Sequence, residues 1–129
     1  AIEELLRYDG SVERALDRHV TEDFELHGHT IRRGEIVSLL LSSANHDPAK
    51  FDRAETFDIH RAPNPHIAFG KGMHHCLGAP LARLEAEIAL NAVLRRLRGL
   101  RLAIREEDIR WRIIPGFRGI ESLPVAWDV

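Results

Sequence analysis

The chain has 129 residues, is 44% hydrophobic and 29% charged, and carries a formal net charge of −2. That length and mixture suit one globular domain spanning residues 1–129 rather than two. Balanced acids and bases leave no general nucleic-acid footprint, and no apolar run reaches the roughly 18 residues a membrane-spanning helix needs.

The elements follow in chain order. Ala1 to Tyr8 reads as a helix, with Ile2, Leu5 and Leu6 on one face and Glu3, Glu4 and Arg7 away from it. The chain opens at Ala1 inside this helical pattern with no N-cap, so an upstream portion is expected. Asp9-Gly10-Ser11 stops the helix. Short β segments follow at 12–20, 24–26, 30–31 and 35–41, with turns at His27-Gly28-His29 and Arg32-Arg33-Gly34. A short helix is expected at 42–46. Residues 47–66 hold Pro48, Pro63, Asn64 and Pro65 and little periodicity, and an irregular stretch of that length is usually functional.

A long helix is predicted from Leu77, with Pro80 in its first turn. Leu77, Leu81, Leu84 and Ile88 share a face, continued by Val93, Leu94 and Leu97; Arg95, Arg96 and Arg98 suit its C-terminal dipole, and Gly99 ends it. Strands are expected at 100–104, 109–114 and 123–127, with Pro115-Gly116 and Arg118-Gly119 at the turn between the last two. Such short strands are marginal by themselves.

The chemistry concentrates in Phe69-Gly70-Lys71-Gly72-Met73-His74-His75-Cys76-Leu77-Gly78, which holds the only cysteine. One cysteine forbids an internal disulfide and fits a reducing, cytoplasmic setting. Glycines at 70, 72 and 78 let backbone approach something flat, and the helix start after Cys76 places its sulfur where peptide dipoles favour a thiolate. N–H groups of Leu77 and Gly78 could hydrogen-bond that sulfur. The competing reading is a buried cysteine acting as a small hydrophobe. Glu4 and Arg7 stand at i, i+3 and meet on one helix face. The remaining histidines form no zinc spacing; His27 and His29 lack a second pair.

The loop resembles the haem-binding loop of the cytochrome P-450 family, haem-thiolate monooxygenases, with Phe69, Gly70, Gly72, His74, Cys76 and Gly78 at the family's positions. Glu4-Leu5-Leu6-Arg7 is similar to the family's Glu-x-x-Arg helix, and Phe57-Asp58-Ile59-His60-Arg61 to the segment whose arginine completes a buried network with it. The resemblance covers Glu3 to Trp127, is nearest the soluble bacterial type, and corresponds to the C-terminal segment, the N-terminal part being absent.

The resemblance implies an α+β portion of a mostly helical fold, with Cys76 as axial ligand to the iron of haem b. It implies that His74 and Arg18 bind haem propionates, that Phe69 shields the sulfur, and that Glu4, Arg7 and Arg61 form a structural network. Arg14 and Arg18 are expected on one side of a strand by the period of two. Val12, Ala15, Leu16, Phe117 and Ile120 resemble substrate-recognition segments. Arg83 and Lys71 stand where the family receives a ferredoxin- or flavodoxin-type electron donor. His75 departs from the aromatic or aliphatic residue common there. The implied activity is NAD(P)H-linked insertion of one oxygen atom from dioxygen into a small organic substrate. A reading from another class is a truncated, non-catalytic remnant that at most binds haem; the adjoining upstream coding sequence discriminates the two.

Overall fold

A computed structural model describes residues 1–128. In chain order come α1 (Ile2–Asp9), β1 (Arg18–His19), β2 (Phe24–Leu26), β3 (His29–Ile31), β4 (Ile36–Val37) and α2 (Leu41–Asn45), then a 3₁₀ turn at Gly72–His74, α3 (Ala79–Arg96), β5 (Arg101–Leu102), a 3₁₀ turn at Glu106–Asp108, and β6 (Val125–Ala126). The α+β expectation holds. The stretch 47–66 carries no helix or strand, as its prolines imply.

The predicted first β segment is more broken than expected. It pairs antiparallel with 35–42 through Arg14 opposite Leu40, Arg18 opposite Val37 and His19 opposite Ile36. Four residues separate Arg14 from Arg18 while three separate their partners, so the register slips by one residue between them. Such a slip is a bulge, and it breaks the period of two that would put Arg14 and Arg18 on one side. Arg14 instead runs its stem along Gly116, where an added Cβ would lie 3.0 Å from Arg14 Cγ.

β2 and β3 form a hairpin whose turn residues have φ of 50° at His27 and 81° at Gly28. Two consecutive left-handed residues make the turn whose twist matches the flanking strands. In the tail the pairing differs from the expected order. Residues 110–114 return as 117–121, through Trp111 opposite Ile120 and Ile114 opposite Phe117. The last strand pairs with the first of the tail, Arg101 opposite Ala126 and Leu102 opposite Val125. Val12 bridges Phe117, so the hairpin tip docks beside the 12–14 segment.

Two helices bury a side other than their most apolar one. In α1 the buried residues are Glu4, 2% exposed, and Arg7, 1% exposed, while Leu5 is 41% exposed. The polar pair can go inside because every group finds a partner there, as shown below. α3 starts at Ala79, two residues later than Leu77, and ends at Arg96 with Leu97 as its cap. It turns Ala79, Ala82, Arg83 and Ala86 inward, and leaves Leu81, Leu84, Ile88 and Leu94 exposed. Small alanines permit close approach to α1, so they take the inner side. The apolar core around Arg7 is correspondingly modest: Leu41, Phe51, Ala54, Ala68 and Ala79 are buried. No helix among the described residues is long and apolar enough to cross a membrane.

Candidate haem-thiolate site

The loop 69–78 is closed by its own backbone. The Cys76 N–H donates to the Phe69 carbonyl at 2.9 Å, Gly70 N–H to Ile67 at 2.8 Å, and His75 N–H to Gly72 at 3.0 Å. Gly70 and Gly72 adopt φ of 73° and 80°, a region that side chains resist, so these two glycines are needed for the turn itself. Gly78 precedes α3, and an added Cβ there would lie 3.8 Å from Cys76 Sγ. Ala79 N–H donates to the Cys76 carbonyl at 3.2 Å, which ties the cysteine to the first turn of the helix. No hydrogen bond from Leu77 or Gly78 to the sulfur is present among the described residues.

Cys76 is exposed among the described residues. Met73 and Leu77 beside it are 99% and 98% exposed, so the thiol stands on an apolar surface. No group of three His, Cys, Asp or Glu side chains that could hold a metal ion exists among the described residues. The residues present fit haem: one soft donor, apolar neighbours, and exposed His74 and Arg18, whose side chains make no hydrogen bond among the described residues.

A buried network orders the stretch that precedes the loop. Arg7 grips Glu4 with two parallel bonds, Nε to Oε2 and Nη2 to Oε1, each 2.8 Å. This fork-to-carboxylate geometry is the strong form of such a pair. Arg7 Nη1 also donates to the carbonyls of Asn45 and Ala54, each at 2.9 Å, and Nη2 to Thr56 at 3.2 Å. Arg61 Nε reaches both Glu4 oxygens at 3.2 Å, and its other nitrogens donate to the carbonyls of Asp52, Arg53 and Thr56. The expected trio thus comes together, and it explains how 47–66 is ordered without secondary structure: the arginines bind its carbonyls. The Arg7 fork first, then the Asp58 N–H and Arg61, hold the Glu4 carboxyl down at about 2.

The trio has partners that spacing did not reveal. Asn64 Nδ2 and the Asp58 N–H also donate to Glu4, at 3.1 and 2.9 Å. Asn45, buried at 2% exposure, accepts the Ile67 N–H on Oδ1 at 2.8 Å. Side-chain amides with no periodic signal give no sequence clue to such roles.

The remaining expected residues are placed as follows. Phe69 is half-buried, its ring 6.5 Å from that of His75 and 4.7 Å from the Arg83 guanidinium. Arg83 is not a free cation: Nε lies 2.7 Å from Glu3 Oε1. Lys71 is exposed. Among the proposed substrate residues, Val12 and Phe117 are brought together, Ile120 lies opposite Trp111, Ala15 is half-buried, and Leu16 is 81% exposed. A cleft of about 480 Å³ opens beside them, lined by Glu13, Trp111, Pro115 and Phe117 among others.

Known proteins share this arrangement. The family profile described as Cytochrome P450 matches residues 1–107. The polyketide biosynthesis cytochrome P450 PksS of Bacillus subtilis is 49% identical over 126 residues, which cover 98% of this chain and 31% of that protein. The mycinamicin IV hydroxylase/epoxidase of Micromonospora griseorubida is 48% identical over 98% of this chain and 32% of its own length. The solved structure of PksS from Bacillus subtilis 168 superposes with a TM-score of 0.96 at 48% identity, covering 100% of this chain and 33% of that one. A structure of P450BioI in complex with an acyl carrier protein bearing hexadec-9Z-enoic acid superposes with a TM-score of 0.91 at 48% identity, over 98% of this chain and 32% of that one. The chain spans about a third of the length of these relatives. With the cysteine loop, the buried Glu–Arg–Arg cluster and the profile match falling on the same residues, this chain belongs to the cytochrome P450 family.

Proposed function

We propose that this chain supplies the proximal thiolate, Cys76, to the haem of a cytochrome P450 monooxygenase. The observation that carries the reading is the exposed Cys76 in a self-closed loop at the start of α3, on a chain whose residues 1–107 match the cytochrome P450 family. Members of the family bind haem, iron protoporphyrin IX. When bound, haem would supply the dioxygen chemistry, and a cysteine thiolate such as that of Cys76 would donate electron density to its iron. This chain's residues bind and orient. Cys76 would hold the iron, His74 and Arg18 would offer cationic or hydrogen-bonding ends to the propionates, and Phe69 would shield the sulfur. Val12, Ala15, Leu16, Phe117 and Ile120 would border a small organic substrate beside the cleft. Relatives named for polyketide biosynthesis and for mycinamicin IV hydroxylation or epoxidation favour an organic substrate. Exposed Lys71 is the cation available to an acidic ferredoxin- or flavodoxin-type donor carrying electrons from NAD(P)H. The two-thirds of the relatives' length that this chain does not cover would furnish the distal side of the site.

The test is spectroscopic. In the full-length haem protein, the reduced carbon monoxide complex should show the red-shifted band of a thiolate ligand, and Cys76→Ala should abolish it. A band that survives Cys76→Ala refutes the assignment.

A further inference from the structure

A second charged cluster lies beside the Glu4 network and shares none of its members. Glu3, also on α1, accepts from Arg83 Nε at 2.7 Å and from Arg83 Nη2 at 2.9 Å. Its Oε2 also faces His66 Nε2 at 2.8 Å. The Ala68 N–H donates to His66 Nδ1 at 3.2 Å, so Nδ1 carries no proton and Nε2–H is the hydrogen directed at Glu3. The His66 side chain is 3% exposed, which makes this a built contact. Neighbouring glutamates of one helix therefore do separate work: Glu4 holds the irregular stretch, and Glu3 holds α3.

What Arg83 touches next gives the cluster its interest. Its guanidinium lies 4.7 Å from the centre of the Phe69 ring. Phe69 in turn accepts the Cys76 N–H on its carbonyl at 2.9 Å. A continuous path therefore runs from α1 through Glu3, Arg83 and Phe69 to the cysteine. A planar guanidinium can fork onto a carboxylate while its face covers an aromatic ring, and an ammonium cannot do both.

We propose that Arg83 is a positioning residue for Cys76: anchored by Glu3 and backed by His66, it fixes the Phe69 ring and thereby the seating of the loop that presents the sulfur. The inference rests on the reading of Cys76 as the haem ligand. It gives Arg83 an inward role in place of a docking role on the surface.

The experiment uses the full-length haem protein with Arg83→Gln, Arg83→Lys, Phe69→Leu and the Arg83→Gln/Phe69→Leu double variant. The readouts are the midpoint potential of the iron and the ratio of reduced carbonyl complex lacking the red-shifted band to complex showing it, each normalised to haem content. Arg83→Gln should raise that ratio by about two- to five-fold, the scale of an exposed cation–π contact, and shift the potential. Arg83→Lys should recover part of both. In the Phe69→Leu background Arg83→Gln should change little, because no ring remains to be fixed. An unchanged ratio and potential in Arg83→Gln, or the same change with and without the ring, overturns the positioning role. Should Arg83→Gln lose haem altogether, Glu3→Gln tests the same path: it keeps the cation and removes its charged anchor, and no shift there overturns the proposal. A wild-type protein with no red-shifted band would sink the Cys76 assignment instead, which keeps the two failures distinct.

Discussion

At Glu4 five donors converge on one carboxylate: Arg7 Nε and Nη2, Arg61 Nε, Asn64 Nδ2 and the Asp58 N–H. Two guanidiniums against one carboxylate leave an excess positive charge, and carbonyls of Asn45, Asp52, Arg53, Ala54 and Thr56 spread it. The Glu4–Arg7 pair is fully partnered and so tolerates burial, whereas Asn64 Oδ1 is buried without a partner among the described residues; loss of one member of the pair should cost about 3–5 kcal/mol. Its pH response follows from the carboxyl held at about 2 against an ordinary 4.5. The folded value lies below the unfolded one, so the stabilisation is complete above pH 4.5 and is lost as pH falls toward 2. For Glu4 the linkage amounts to about 3 kcal/mol. Glu3 is lowered similarly, chiefly by Arg83, and adds less because its side chain is 45% exposed. Urea unfolding of the full-length protein at descending pH should show this decline, and Glu4→Gln should flatten most of it. Stability that stays level down to about pH 3 would mean that the carboxylate is not held as the linkage requires.

Among the elements, α3 is the most instructive, because it is apolar on two sides. Its alanine side meets α1, while Leu81, Leu84, Ile88 and Leu94 are between 52% and 71% exposed. A helix apolar all round belongs in a protein interior. We expect the leucine side to be covered by the part of the parent protein that this chain does not span. Leu84→Ala should then cost about 2–5 kcal/mol in the full-length protein, as core truncations do. In the 129-residue chain by itself the same change should stay within about 0.5 kcal/mol. Equal small effects in both, measured by denaturant unfolding, would show the face to be a true surface.

For the molecule as a whole, three two-stranded sheets and one small polar-centred core are little to stand on. Two-stranded ribbons are marginal and present unpaired edges. Expressed by itself, the chain should self-associate, bind a hydrophobic dye and hold haem weakly. It should give no regiospecific, NAD(P)H-coupled product with a redox partner, since under the proposed reading Cys76 and its loop would cover one side of the haem only. Sedimentation and product analysis check this, and coupled, regiospecific turnover by the 129-residue chain would prove it a complete enzyme.

Local chemistry was legible without coordinates wherever the signal lay in adjacent residues. The cysteine loop, the i, i+3 pair Glu4 and Arg7, the Pro80 helix start and the His27-Gly28 turn all depend on neighbours a few residues away, and backbone sterics decide them. Arg61 could be joined to Glu4 only through family resemblance, since 57 residues separate them. Which side of α1 and of α3 goes inward does not follow from hydrophobicity. Burial is decided by whether polar groups find partners and by how closely helices can approach, and both are properties of the packed chain. The bulge between Arg14 and Arg18, the pairing of 101–102 with 125–126, and the Glu3–His66–Arg83 path likewise arise from contacts between distant segments. Sequence by itself determined the cysteine loop, the turns and the family; tertiary structure alone decided which charges are buried and which distant groups pair, because only packing brings those groups within hydrogen-bond reach.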